Sequence, residues 1–194
     1  MAPELTEFLK SLPPDCVPMS ALRTAVSIAG LYDHKADDAS PAAIHEKTLN
    51  LIAEMATQVA AIHRRRKGLE FIEPNPKLSH AANFLYMLEG VVPAETPAHI
   101  FDVAMILHAE HSMNASTFAA RVTGSTLGDP YAVVASAGGA LAGPLHGGAN
   151  EEVLAMLREM LHLVDVGAVE PRELDSLVQT TLRAFVPVFG PLQM

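Results

Sequence analysis

A single cysteine, no tryptophan and few aromatic residues of any kind set this sequence apart. Cys16 has no second cysteine in the chain with which to form a disulfide, which is typical of proteins from a reducing compartment and predicts a cytoplasmic location. Aromatic residues make up 5% of the 194 residues, whereas 49% are hydrophobic and many of those are alanine. Since β-sandwiches depend on aromatic and β-branched side chains, this composition favours close-packed helices. We expect an all-α fold.

Positive charge and long apolar runs are also scarce. The formal net charge of −9 argues against nucleic acid or an anionic membrane as a partner, because such surfaces attract clustered positive charge. The one basic cluster, 64–67, is expected at the end of a helix, where cations complement the helix dipole. The longest nearly apolar run, 131–145, is too short and too rich in glycine to span a membrane, and residues 1–10 lack the pattern of a signal peptide. The sequence therefore predicts a soluble protein that binds neither nucleic acid nor membranes.

Apolar residues at helical spacing, separated by proline, glycine and capping residues, predict a succession of helices. Ser40 with Pro41 is an N-cap and first-turn pair, and so is Asp129 with Pro130. We also expect a helix over 3–12, a second helix capped by Ser20 and closed by Gly30, and a helix from Ser79 to Gly90. A further helix is expected to begin at Thr96 and Pro97, and its inward residues are Ile100, Val103, Ala104 and Leu107. The next helix is expected to be capped within 114–117.

The longest periodic run begins at Pro41 and extends to Gly68. At about 1.5 Å per residue such a helix is about 40 Å long. A helix of that length cannot be covered entirely by a domain of this size, so part of its apolar stripe is expected to contact a second copy of the chain. The sequence therefore predicts a homo-oligomer.

The stretch 141–150, LAGPLHGGAN, places a histidine between proline and glycine residues. Pro144 restricts the backbone and Gly147 lets it approach a ligand closely, so His146 is expected to be presented for chemistry. Asn150 is the expected N-cap of the helix that follows, whose positive end favours a neutral imidazole that donates a hydrogen bond. The alternative is a helix–loop–helix corner that needs glycine only for its turn.

Three histidines could suggest a metal site, but their spacing does not match one. His108 and His111 are three positions apart, whereas zinc-binding helices place two histidines at i and i+4 with a glutamate between them. We therefore expect no metal. The sequence also lacks a phosphate-binding P-loop and a G-x-S-x-G nucleophile turn. What remains is a histidine-based site that polarises a carbonyl group or holds a polyanionic acid.

Four stretches together resemble citrate synthase of the bacterial and archaeal type. They are LRTAVS at 22–27, LSHAANFLYML at 78–88, ILHAEHSMNAST at 106–117 and LAGPLHGGANEEVL at 141–154. They stand in the family's order, and the 35 positions that separate His111 from His146 fit the spacing of two family histidines. The resemblance covers roughly residues 12–157.

The resemblance implies an all-helical homodimer in which each chain has a large and a small domain. It implies that oxaloacetate binds first and that acetyl-CoA, a co-substrate rather than a bound cofactor, is enolised and condensed to citryl-CoA, whose hydrolysis releases citrate and CoA. By motif, His111 and Asn114 lie on the oxaloacetate side, and His146 is the catalytic histidine that hydrogen-bonds the acetyl-CoA carbonyl oxygen.

The sequence also departs from the family. A third histidine in a Gly-His-x-Val-Tyr stretch, an Asp-Pro-Arg, the aspartate base and further substrate-binding arginines have no match, and the tail 184–194 matches no family motif. Ser112 stands where the family usually has Glu, and Val17 where it usually has His. We therefore expect residues 1–194 to form one partial large domain, a truncated synthase without the small domain. The alternatives are a non-catalytic remnant that acts as a dimerisation or regulatory module, and a methylcitrate synthase fragment.

Overall fold

The computed structural model describes residues 1–110, 112–166 and 173, and within this part of the chain the regular structure consists of α-helices without strands. The expected all-α fold is confirmed. The chain divides into two units, Met1–Gly143 and Pro144–Met194. The tail 184–194 lies outside the described residues. The helices are α1 (Pro3–Ser11), α2 (Pro18–Leu31), α3 (Pro41–Arg66), α4 (His80–Glu89), α5 (Glu95–His108), α6 (Ala115–Ser125) and α7 (Pro130–Leu141) in the first unit, and α8 (Gly148–Asp165) in the second.

Several helices begin where the sequence predicts, because a side chain satisfies a backbone N–H that the first turn leaves open. The Ser40 hydroxyl accepts a hydrogen bond from the Ala43 N–H at 3.3 Å at the start of α3. The Asp129 carboxylate accepts from the Tyr131 N–H at 2.9 Å at the start of α7. At the other end of a helix, Gly90 closes α4 with a left-handed φ of 80°, a conformation that favours glycine.

The second helix corrects two expectations. It begins at Pro18 with Val17 as its N-cap, so Ser20 lies inside the first turn and does not cap it. The fixed φ of proline suits the first helical position, which explains the earlier start. Gly30 does not end the helix either, because α2 continues to Leu31. A Cβ at Gly30 would lie 2.9 Å from the Tyr131 Cβ, so this glycine permits α2 and α7 to pack closely.

The core of the first unit forms where α1, α2 and α7 pack against the long helix α3. Tyr131 lies in this core, and its hydroxyl donates a hydrogen bond to the Asp33 carboxylate at 2.8 Å. Burial, followed by this hydrogen bond, raises the pKa of the Tyr131 hydroxyl. The buried apolar residues of the cluster are Leu5, Leu9, Leu12, Ala21, Ala25, Val26, Ala29, Leu51, Ala61, Ile62 and Tyr131.

Charged side chains of α3 donate hydrogen bonds to backbone carbonyl oxygens of neighbouring segments. Lys47 is only 3% exposed, and its ammonium donates to the carbonyl oxygens of Lys35, Ala36 and Asp38 at 2.9, 2.7 and 2.7 Å. In the basic cluster, Arg64 is buried and donates to the carbonyl oxygens of Glu70 and Leu88. The cluster was expected to complement the helix dipole; the structure adds that Arg64 ties α3 to the following connection at Glu70 and to α4 at Leu88.

The expected inward face of α5 is wrong. Ile100 is 63% exposed and Leu107 is 72% exposed, and Val103 is exposed as well. The ring of Phe101 instead stacks on Phe84 of α4, with 5.0 Å between ring centroids. The helix α5 carries apolar residues on more than one of its faces. Periodicity alone therefore could not identify which face makes the aromatic contact.

Part of the α3 stripe stays uncovered by this chain. Ile44, Leu49 and Ile52 are exposed although they are large and apolar. This agrees with the expectation that a second copy covers the helix, which remains a prediction. Among the described residues, no helix combines the length and the apolar character that crossing a membrane would require.

Candidate functional site

The connection between α5 and α6 carries the first group of predicted site residues. His108, in the last turn of α5, donates from Nδ1 to the carbonyl oxygen of Ala104 at 2.7 Å and is thereby tied to its own helix. His111 lies outside the described residues, so its predicted contact with oxaloacetate stays a prediction.

Asn114 caps α6. Its side-chain oxygen accepts a hydrogen bond from the Thr117 N–H at 2.9 Å, which leaves the side-chain amide N–H groups as donors for a ligand. The residue is half-buried at the positive end of a helix, where the first-turn N–H groups favour carboxylates. The sequence predicted this segment as a cap and placed Asn114 on the ligand side, and the structure confirms the cap.

Ser112, between His111 and Asn114, adopts an unusual backbone conformation. Its φ is 55°, in the left-handed region, which costs a residue with a Cβ about 1–2 kcal/mol. The Glu110 carboxylate accepts a hydrogen bond from the Ser112 N–H at 2.5 Å. Sequence reasoning missed Glu110, since a turn of this kind is usually associated with Asp or Asn and no neighbouring signal marked it.

His146 lies in the second unit, half-buried in the turn that immediately precedes α8. Its expected position just outside a helix N-terminus is confirmed. The expected N-cap is wrong: α8 begins at Gly148, so Asn150 is the third residue of the helix and not its cap. Gly147 and Gly148 let the chain enter the helix directly after the turn at Pro144, three residues before the start that Asn150 as N-cap would give.

The structure places Asn114 in the first unit and His146 in the second. Their assembly into one site with His111 therefore stays a prediction from the motifs. Within the described part of the chain, no group of three histidine, cysteine or carboxylate side chains lies close enough to hold a metal ion.

A family model described as citrate synthase, C-terminal domain, matches residues 1–190. The chain belongs to the citrate synthase family. The resemblance that four motifs predicted is thus confirmed over nearly the whole sequence.

Named relatives agree with this family. The chain is 49% identical to a citrate synthase of Deinococcus radiodurans over 81% of its length and 51% identical to one of Synechocystis sp. over 86%. It is 46% identical over 83% of its length to a 2-methylcitrate synthase of Mycobacterium tuberculosis. It spans less than half of each of these relatives, between 40% and 42% of their length.

Solved citrate synthases share the fold. The structure from Pyrobaculum aerophilum matches 98% of this chain with a TM-score of 0.67 and 31% identity, and the chain covers 55% of that protein. The structure from Thermotoga maritima matches 94% of this chain with a TM-score of 0.68 and 34% identity, and the chain covers 45% of it. The helical arrangement of the described residues is therefore that of the family.

Proposed function

We propose that this chain binds oxaloacetate and the acetyl group of acetyl-CoA and contributes to their condensation to citrate and CoA. Family membership, together with a half-buried His146 immediately before the N-terminus of α8, is the observation that carries the proposal. In the reaction, the acetyl methyl group loses a proton, the enolate carbon attacks the oxaloacetate carbonyl, and water then cleaves the thioester of citryl-CoA.

The oxaloacetate side rests on His111 and Asn114. Asn114 uses its oxygen to cap α6, so only its N–H groups are left to meet a carboxylate or a carbonyl oxygen of the substrate. The helix terminus adds partial positive charge at the same place, and a dicarboxylate is attracted to both.

The acetyl-CoA side rests on His146. An imidazole that donates a hydrogen bond to the thioester carbonyl oxygen stabilises the negative charge that develops there as the enolate forms, and such a donor is worth several kcal/mol. The N-terminus of α8 contributes partial positive charge beside it. We assign no base, because neither Asp165 nor Asp175 stands in a family motif; the proposed roles cover binding and carbonyl polarisation.

A substitution at Asn114 can distinguish the proposed role of this residue in oxaloacetate binding from its role as the N-cap of α6. Asn114→Asp keeps an oxygen that caps α6 but replaces the amide donors by a negative charge. We expect this variant to unfold at the same temperature as the wild type or above it, and to bind oxaloacetate at least tenfold more weakly in calorimetric titration. Equal affinity in the two proteins would remove Asn114 from the site.

The chemical step can be followed by thiol release from acetyl-CoA in the presence of oxaloacetate. His146→Ala should lower the rate by a factor of about 100, as the loss of one oxyanion donor does in other enzymes. His162→Ala is the matched control, since this exposed histidine lies in α8 and has no assigned role. A wild-type rate that equals that of His146→Ala would refute a catalytic role.

The 2-methylcitrate synthase relative supports one alternative substrate. If propionyl-CoA releases thiol faster than acetyl-CoA under the same conditions, the chain belongs to the methylcitrate branch of the family.

The uncovered apolar residues of α3 favour a second role, in which the chain pairs with another copy as a dimerisation module. Ile52→Glu, on that face, should lower the molar mass measured by light scattering from dimer to monomer, whereas Glu46→Gln, an exposed change on the same helix, should not. A wild-type monomer would contradict this role.

A further inference from the structure

The short connection between α5 and α6 is held at both ends and at one point between them. His108 is bonded to the Ala104 carbonyl oxygen at the end of α5, and Asn114 caps the start of α6. Between them, the Glu110 carboxylate accepts the Ser112 N–H at 2.5 Å. That N–H belongs to the peptide unit that joins residues 111 and 112.

This hydrogen bond is made by the residue whose backbone conformation is the least favourable among the described residues of the connection. Ser112 has a φ of 55°, a conformation that a residue with a Cβ leaves unless something holds it. A return to the ordinary region near −65° would rotate the chain that follows Ser112 by about 120° about the N–Cα bond of this residue. The backbone conformation of Ser112 therefore sets the direction in which the chain reaches Asn114 at the start of α6.

We propose that Glu110 is a positioning residue: its carboxylate holds the Ser112 N–H in the left-handed turn and so sets the direction in which Asn114 presents its amide N–H groups to oxaloacetate. This inference rests on the proposed function. Glu110 acts through the backbone and is not itself a ligand, since a carboxylate near a dicarboxylate substrate would repel it.

The direction in which oxaloacetate affinity changes when Glu110 is replaced distinguishes two possible roles of its carboxylate. If Glu110 acted only through its charge, its removal would strengthen the binding of an anion. If it holds the turn, its removal weakens binding even though a negative charge is lost. The two roles thus predict opposite changes for the same variant.

The protein itself indicates which replacement should work. Asp33 accepts the Lys35 N–H at 2.9 Å and Asp38 accepts the Ser40 N–H at 2.9 Å, the same two-residue reach that Glu110 spans. Glu110→Asp should therefore keep the turn, and Glu110→Gln should keep it through the amide oxygen.

Calorimetric titration of oxaloacetate into the 194-residue chain tests the proposal. We expect Glu110→Ala to bind about tenfold more weakly than the wild type, and Glu110→Asp and Glu110→Gln to stay within about threefold of it. Asp102→Ala is the matched control, because it removes one negative charge from α5 and should leave affinity unchanged or slightly higher.

A second measurement does not depend on the ligand. In samples labelled with ¹⁵N-serine, the Ser112 amide proton should exchange with water several-fold faster in Glu110→Ala than in the wild type, and Glu110→Gln should exchange at about the wild-type rate. Equal exchange rates in the wild type and Glu110→Ala would overturn the inference. Unchanged or tighter oxaloacetate binding by Glu110→Ala would overturn it as well. If the wild type binds no oxaloacetate, the proposed function fails, and the exchange rates of the Ser112 amide still decide whether Glu110 holds the turn.

Discussion

Replacing Lys47 by methionine should destabilise the protein more than any exposed lysine substitution. The ammonium group is almost fully buried and donates three hydrogen bonds, of 2.9, 2.7 and 2.7 Å, to backbone oxygens of the turn that links α2 to α3. Methionine keeps the apolar stem but donates nothing, so three hydrogen bonds are lost at once, although the Lys35 oxygen keeps the bond that it accepts from the Asp38 N–H.

The magnitude follows from these contacts. A hydrogen bond to a charged group contributes about 1.5–3 kcal/mol, but the contributions are not additive, and the linking turn is exposed enough for its oxygens to bind water again. We therefore expect Lys47→Met to lower the free energy of unfolding by about 2–4 kcal/mol. Urea denaturation followed by circular dichroism measures this quantity, and an unchanged slope with urea would show that only stability has changed.

Lys35→Met is the control. Lys35 is exposed, and its ion pair with Glu46, at 3.7 Å, lies in water, so its loss should cost less than about 1 kcal/mol. If Lys47→Met lies within 0.5 kcal/mol of this control, the reasoning that a buried ammonium holds the turn is refuted.

Three further substitutions test the packing around α2, α3 and α7. Gly30→Ala would place a Cβ 2.9 Å from that of Tyr131 and should cost about 1–3 kcal/mol by thermal unfolding, whereas Gly138→Ala, with nothing within 4 Å, should be neutral or stabilising; equal melting temperatures would contradict the close packing. Burial and the contact with Asp33 raise the Tyr131 pKa above its usual 10.0. The contribution of this pKa shift to the free energy of unfolding is therefore complete below pH 10 and is lost as the pH rises above it. Tyr131→Phe should lack this alkaline decline, and a parallel decline in both proteins would show that Tyr131 does not cause it. Both amide atoms of buried Gln58 lack a hydrogen-bond partner among the described residues, so Gln58→Met should raise the free energy of unfolding by about 1–3 kcal/mol, and a loss of stability would mean that the amide has a partner.

Local chemistry in the sequence was enough to predict many of the helix boundaries. Ser40, Ser79 and Asp129 are N-caps as expected, and Gly90 ends α4 in the left-handed conformation. Each of these depends on a residue and its neighbours within four positions, which is the range over which a cap acts. The same locality placed His146 at the start of a helix and Asn114 at a cap.

Contacts between distant parts of the chain decided the rest. Gly30 by itself predicts a helix end, yet α2 continues to Leu31, and Tyr131, about a hundred positions later, packs closely against this glycine. The spacing of Ile100 and Leu107 predicts an inward face, yet both residues are exposed and Phe101 stacks on Phe84 instead. Periodicity identifies apolar faces but not the partner that each face meets.

The candidate site divides in the same way. The four motifs indicated the citrate synthase family and predicted His111, Asn114 and His146 as site residues, because the order and spacing of motifs are properties of the sequence alone. The hydrogen bond from Ser112 to Glu110 is not visible in the sequence, since it depends on a left-handed φ that serine rarely adopts. The sequence by itself predicted which residues take part in the chemistry, because motifs are local, whereas only the structure decided how the backbone at Ser112 is held.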